Sequence, residues 1–152
     1  MFQKTLRQLF FETSKQNNTM KLLIHSDGGA RGNPGPAGIG AQLTDEKGTV
    51  VAEISEFIGH TTNNQAEYQA LLAGLEKAKN LGAEEVVCRL DSELVVKQLN
   101  HEYKVKNKDL APLFLKAHNL ITGFKKISFQ HVPREMNKEA DRLANEAMDK
   151  GK

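Results

Sequence analysis

Eleven residues near the start of the chain, GGARGNPGPAG from Gly28 to Gly38, hold five glycines and two prolines. Proline lacks a backbone N–H and glycine loses the most backbone entropy on folding, so no helix runs through such a stretch. The apolar run Leu22-Leu23-Ile24 ahead of it therefore reads as a strand ending at Asp27, and the glycine-rich stretch as an irregular loop. Two further strands fit near Gly38–Thr44 and Val50–Gly59, joined as a hairpin through Asp45-Glu46-Lys47-Gly48.

After this the period of the apolar residues changes from two to helical. Tyr68, Leu71, Leu72, Leu75 and Ala78 share one face of a helix from Asn63 to Leu81, stopped by Gly82. A β-branched run, Glu85–Leu90, makes a fourth strand with Asp91 at its end. Helices follow at Ser92 to about Asn100 and about Lys108 to Thr122, then a strand Ile127–Val132 and a last helix from Asn137 to Met148. Hairpin-linked strands followed by strand–helix–strand crossovers imply an α/β fold with a mixed sheet flanked by helices.

A chain of 152 residues holds one such domain and needs no disulfide to fold. Cys88, the single cysteine, lies in the apolar run Val86-Val87-Cys88 and reads as a small buried hydrophobe, consistent with a reducing, cytoplasmic setting. No apolar run approaches the ~20 residues that span a bilayer. Residues 1–19 stand apart as an N-terminal extension, a short amphipathic helix (Phe2, Leu6, Leu9, Phe10) and a polar linker, with residues 20–152 as the domain. The net charge of +2 identifies no partner, although six lysines between 101 and 126 offer either a solvated face or a phosphate-contacting one.

Four acids sit at the ends of these elements: Asp27, Glu67, Asp91 and Asp141. Each has an ordinary explanation. Asp27-Gly28 is a turn dipeptide, and Asn64 to Glu67 has the spacing of an Asx N-cap with an acid at the third position. Asp91 can cap the helix after it, and Asp141 favours the positive end of its helix. Their arrangement says more, because ligands of open α/β sheets bind beyond the carboxyl ends of parallel strands. Acids gathered there repel one another unless a cation lies among them, and Mg²⁺ suits an all-oxygen site.

HSDGGARGNPGPAGIG, TTNNQAEYQALLAGL, LDSELVV and HVPREMNKEADRLAN, taken in order, resemble the four active-site segments of the type 1 ribonuclease H family. The resemblance runs from about Lys21 to Met148 and implies the ribonuclease H-like fold with five strands. It also implies an endoribonuclease that hydrolyses the RNA strand of RNA–DNA hybrids, leaving a 5′-phosphate and a 3′-hydroxyl. Asp27, Glu67, Asp91 and Asp141 become the metal-binding catalytic acids for two Mg²⁺ ions in the substrate complex, Asp27 shared between them; Mn²⁺ suits such a site as well. Gly28, Asn33, Thr62, Asn63, Asn64 and Glu93 take substrate positions. Asn63 and Asn64 also read as helix caps, and His131 and Arg134 are rival auxiliaries for proton transfer and phosphate contact.

Two departures bear on activity. Glu93 stands where the family often has glutamine, and a carboxylate cannot donate a hydrogen bond to nucleic acid. Only His101 to Val105 lies between Asn100 and Lys106, so the family's basic protrusion has no room, and lysines 104, 106, 108, 125 and 126 are its candidate substitutes. Both features point to the protrusion-less branch of archaea and some bacteria, with a monomer and no obligate protein partner expected. They also keep two other readings open: a catalytically weak nucleic-acid-binding module, and a nuclease of the same fold with another substrate such as duplex RNA.

Overall fold

A computed structural model of the chain describes residues 19–151; the expected N-terminal helix lies outside the described residues. Five strands form one sheet: β1 (Lys21–Ala30), β2 (Gly35–Thr44), β3 (Val50–Thr61), β4 (Glu85–Leu90) and β5 (Lys126–His131). Four helices pack around it: α1 (Asn63–Asn80), α2 (Glu93–Leu99), α3 (Ala111–Ile121) and α4 (Lys138–Lys150). The strand order is β3-β2-β1-β4-β5. β1, β2 and β3 form the antiparallel meander, and β4 and β5 add parallel to β1, with Ser26 beside Leu90 and Leu90 beside His131.

Strand parity puts Leu22, Ile24, Leu43, Val86, Cys88 and Leu90 on one face, where they meet Tyr68, Leu71 and Leu75 of α1 in the main core. Each large aliphatic buried there contributes about 1.5–3 kcal/mol, and Cys88 is buried among them as the small hydrophobe expected. The other face of β1–β3 receives α4 through its small residues Ala140, Ala144 and Ala147, opposite Gly38 and Gly40. A Cβ on Gly40 would lie 2.3 Å from the Ala140 carbonyl oxygen, so the helix rests on bare backbone.

The loop expected over Gly28–Gly38 is shorter than the sequence suggested. β1 continues to Ala30 and β2 begins at Gly35, leaving a turn of four residues, Arg31 to Pro34. Here the glycines serve close approach: a Cβ on Gly28 would stand 2.2 Å from the Ala66 carbonyl oxygen of α1. The helix expected from Lys108 begins at Ala111, with proline in its first turn, where a missing N–H costs nothing.

Candidate active site

The parallel strands β1, β4 and β5 end at one edge of the sheet, and an open cleft of about 490 Å³ lies beyond them. Asp27 enters it from β1, one residue past the last β1–β4 pair, and Asp91 from the residue after β4. Glu67 projects from the first turns of α1, which Gly28 allows to lie against β1. Carboxylate oxygens of Asp27, Glu67 and Asp91 lie within 4.8 Å of one another. Asp141, in the first turn of α4, lines the same cleft.

The ordinary roles proposed for these acids are filled by their neighbours. Thr62, not Asn64, caps α1: its hydroxyl accepts from the Gln65 N–H while the Gln65 side chain accepts from the Thr62 N–H, a reciprocal capping box. Ser92, not Asp91, caps α2 by accepting from the Val95 N–H. Asp27 lies within a strand, not a turn. Asp27, Glu67 and Asp91 are thus left free of local duty, while Asp141 keeps the expected place of an acid in the first turn of its helix. Burial raises Asp27 from 3.8 to about 7, with the charges of Asp91 and Asp141 adding to the rise. Burial and then Asp27 push Glu67 well above its ordinary value, and burial raises Asp91 against the pull of Arg134. Glu67 Oε2 is buried with no hydrogen-bond partner. Converging hard oxygens, one of them orphaned, fit a divalent cation.

The remaining candidates divide. His131, exposed at the end of β5, and Arg134 line the cleft, and Arg134 Nη2 lies 3.4 Å from Asp141 Oδ1. Asn63 lines it as well, and two bonds tie the β1–β2 turn to the start of α1: Asn63 Oδ1 accepts from the Ala30 N–H at 2.8 Å, and Asn33 Oδ1 from the Asn63 N–H at 3.0 Å. Asn64 and Glu93 are exposed and do not line the cleft; Glu93 is paired with Lys97 at 2.8 Å, which holds its carboxyl below the ordinary value. The lysine substitutes divide too. Lys126 opens β5, roughly 16 Å along the strand from His131. Lys125 is paired with Glu84 at that same far end, so neither faces the carboxylate edge.

Residues 25–147 match the family described as reverse transcriptase-like. The chain is 49% identical over 129 residues to the ribonuclease HI of Halobacterium salinarum, spanning 85% of this chain and 65% of that protein. The crystal structure of LC11-RNase H1 in complex with an RNA/DNA hybrid superposes with a TM-score of 0.81 at 48% identity, over 85% of this chain and 97% of that one. The chain belongs to the type 1 ribonuclease H family. It is also 51% identical over 131 residues (86% of this chain) to the bifunctional protein Rv2228c of Mycobacterium tuberculosis, of whose length it spans only 36%. No helix among the described residues is long and apolar enough to cross a membrane.

Three features of this ribonuclease H site escaped sequence reasoning. Asn137, 1% exposed, donates from Nδ2 to the Ser26 carbonyl oxygen at 2.9 Å and accepts the Asp141 N–H on its own carbonyl, tying the Asp141 helix to the strand of Asp27. Asn145 and Arg31 line the cleft. An asparagine before a helix signals a cap, but nothing local signals a bond made across 111 residues.

Proposed function

We propose that residues 20–152 form an endoribonuclease domain that hydrolyses the RNA strand of RNA–DNA hybrids, with residues 1–19 as a separate extension. The observation that carries this reading is the cluster of Asp27, Glu67 and Asp91 at the carboxyl ends of β1 and β4, with Asp141 beside it. These four acids would hold Mg²⁺, and Mn²⁺ suits the same oxygens. Magnesium bound there supplies Lewis acidity to the attacking and leaving oxygens of the phosphodiester.

The chain's own groups do the rest. Asn33 and Asn63 use Oδ1 to fix the turn on α1, which leaves their NH₂ groups to donate to the hybrid. Thr62 and Asn64 stand at the N-terminus of α1, where backbone N–H groups and the helix dipole favour a DNA-strand phosphate. Arg134 can exchange Asp141 for a phosphate oxygen, since exposed pairs of this kind are weak. His131, exposed at the cleft wall, would deliver a proton to the departing 3′-oxygen. The products are a 5′-phosphate and a 3′-hydroxyl. We place the enzyme in the cytoplasm as a monomer, in keeping with its reduced, fully buried Cys88.

A substrate panel tests the reading. With Mg²⁺, the hybrid should be cut in its RNA strand, with duplex RNA and duplex DNA left intact. Equal cutting of duplex RNA would reassign the substrate, and hybrid binding without cutting would favour the binding-module reading.

A further inference from the structure

Arg31 is the second residue past Gly29 and the first of the β1–β2 turn, and no role for it came from its sequence motif. Its backbone is fixed: the Arg31 N–H donates to the Pro36 carbonyl oxygen at 2.8 Å, and the residue before it is held by Asn63. Arg31 is among the residues lining the carboxylate cleft, and its guanidinium pairs with Asp149 Oδ1 at 2.5 Å. Both side chains are largely open to solvent, 42% and 60% exposed, so the pair is readily exchanged.

Asp149 itself is oddly placed. It stands in the last turn of α4, where the carbonyl end of the helix dipole disfavours an acid. Helix stability gives no reason for it. What it does provide is a counter-ion for an arginine beside a site otherwise rich in negative charge. An anionic strand approaching these acids needs cations along the wall, and a guanidinium on a rigid turn matches a phosphate with two parallel N–H donors.

We propose that Arg31 is a substrate-contacting residue that takes a backbone phosphate of the bound duplex, and that Asp149 is its intramolecular competitor, displaced when the phosphate arrives. This rests on the nuclease reading above. Two consequences separate it from a merely structural pair. Arg31→Ala loses one phosphate contact, so hybrid affinity falls and the slope of log affinity against log salt becomes shallower by about 0.9. Asp149→Asn releases Arg31 without cost, so affinity rises, by about two- to fivefold for an exposed pair.

The test is steady-state cleavage of an RNA–DNA hybrid across a potassium chloride series by wild type, Arg31→Ala, Arg31→Lys, Asp149→Asn and the double variant Arg31→Ala/Asp149→Asn. The expected result is a higher KM and shallower salt slope for Arg31→Ala, partial recovery with Arg31→Lys, and a lower KM for Asp149→Asn. The gain from Asp149→Asn should disappear in the Arg31→Ala background. An equal gain in both backgrounds would show that Asp149 acts only by general repulsion, and would overturn the proposal, as would an unchanged KM in Arg31→Ala. If wild type cuts no hybrid, the nuclease reading fails first; if it cuts and the variants match it, only the Arg31 assignment fails.

Discussion

Asp27 is the residue on which the electrostatics of the cleft turn. Its carboxyl titrates near 7 when folded against 3.8 ordinarily, because burial and the neighbouring acids disfavour its charge. Across that window the folded protein holds a proton that the unfolded chain has released, so stability is greatest at low pH and falls as pH rises through the folded value. Glu67 is shifted the same way and adds to the fall. Metal-free protein should therefore show a declining Tm between pH 5 and pH 7.5, and thermal melts in EDTA check this. Asp27→Asn should make the decline shallower and raise Tm at neutral pH. The same variant should lose turnover by at least about 10³-fold, as loss of a central catalytic group usually does. A Tm that climbs with pH would contradict the charge arrangement described.

At the level of elements, the site depends on how closely two helices approach the sheet. Gly40→Ala puts a Cβ 2.3 Å from the Ala140 carbonyl oxygen and 2.5 Å from the Ala144 nitrogen, so α4 must lift away. We expect a loss of about 1–3 kcal/mol in denaturant unfolding. Turnover should drop with it, because Asp141 travels on that helix. The five strands and four helices were legible from apolar periodicity alone, most to within a residue or two. The Gly28–Gly38 stretch was not read correctly, since glycine marks turns and close backbone approach with the same letter, and only the partner helix tells them apart. The caps were misassigned for a related reason. Asn64, Thr62, Ser92 and Asp91 are all competent caps, and which one is used depends on where the helix starts in three dimensions.

For the whole molecule, the four acids were recoverable because four motifs occur in order, although each acid alone looked like an ordinary cap or turn residue. Arg31 and Asn137 stayed hidden, since their partners Asp149 and Ser26 lie more than 100 residues away in sequence. The strand order was equally out of reach from the chain, and it is what carries Asp27 and Asp91 to one edge. The missing basic protrusion leaves lysines 104, 106 and 108 as the remaining candidates for gripping a duplex, with Lys125 and Lys126 at the wrong end of β5. Charge reversal at two of the three should weaken hybrid binding and flatten its salt slope, measured by fluorescence anisotropy. On the proposed function, the clustered acids, with a divalent ion, cut RNA paired to DNA. The most direct test is a time course on a hybrid end-labelled on either strand, with Mg²⁺ or EDTA, for wild type beside Asp27→Asn. Cutting of the RNA strand alone, dependent on Mg²⁺ and absent in Asp27→Asn, is the predicted result. Cutting that persists in EDTA or in Asp27→Asn, or that falls on the DNA strand, would contradict it.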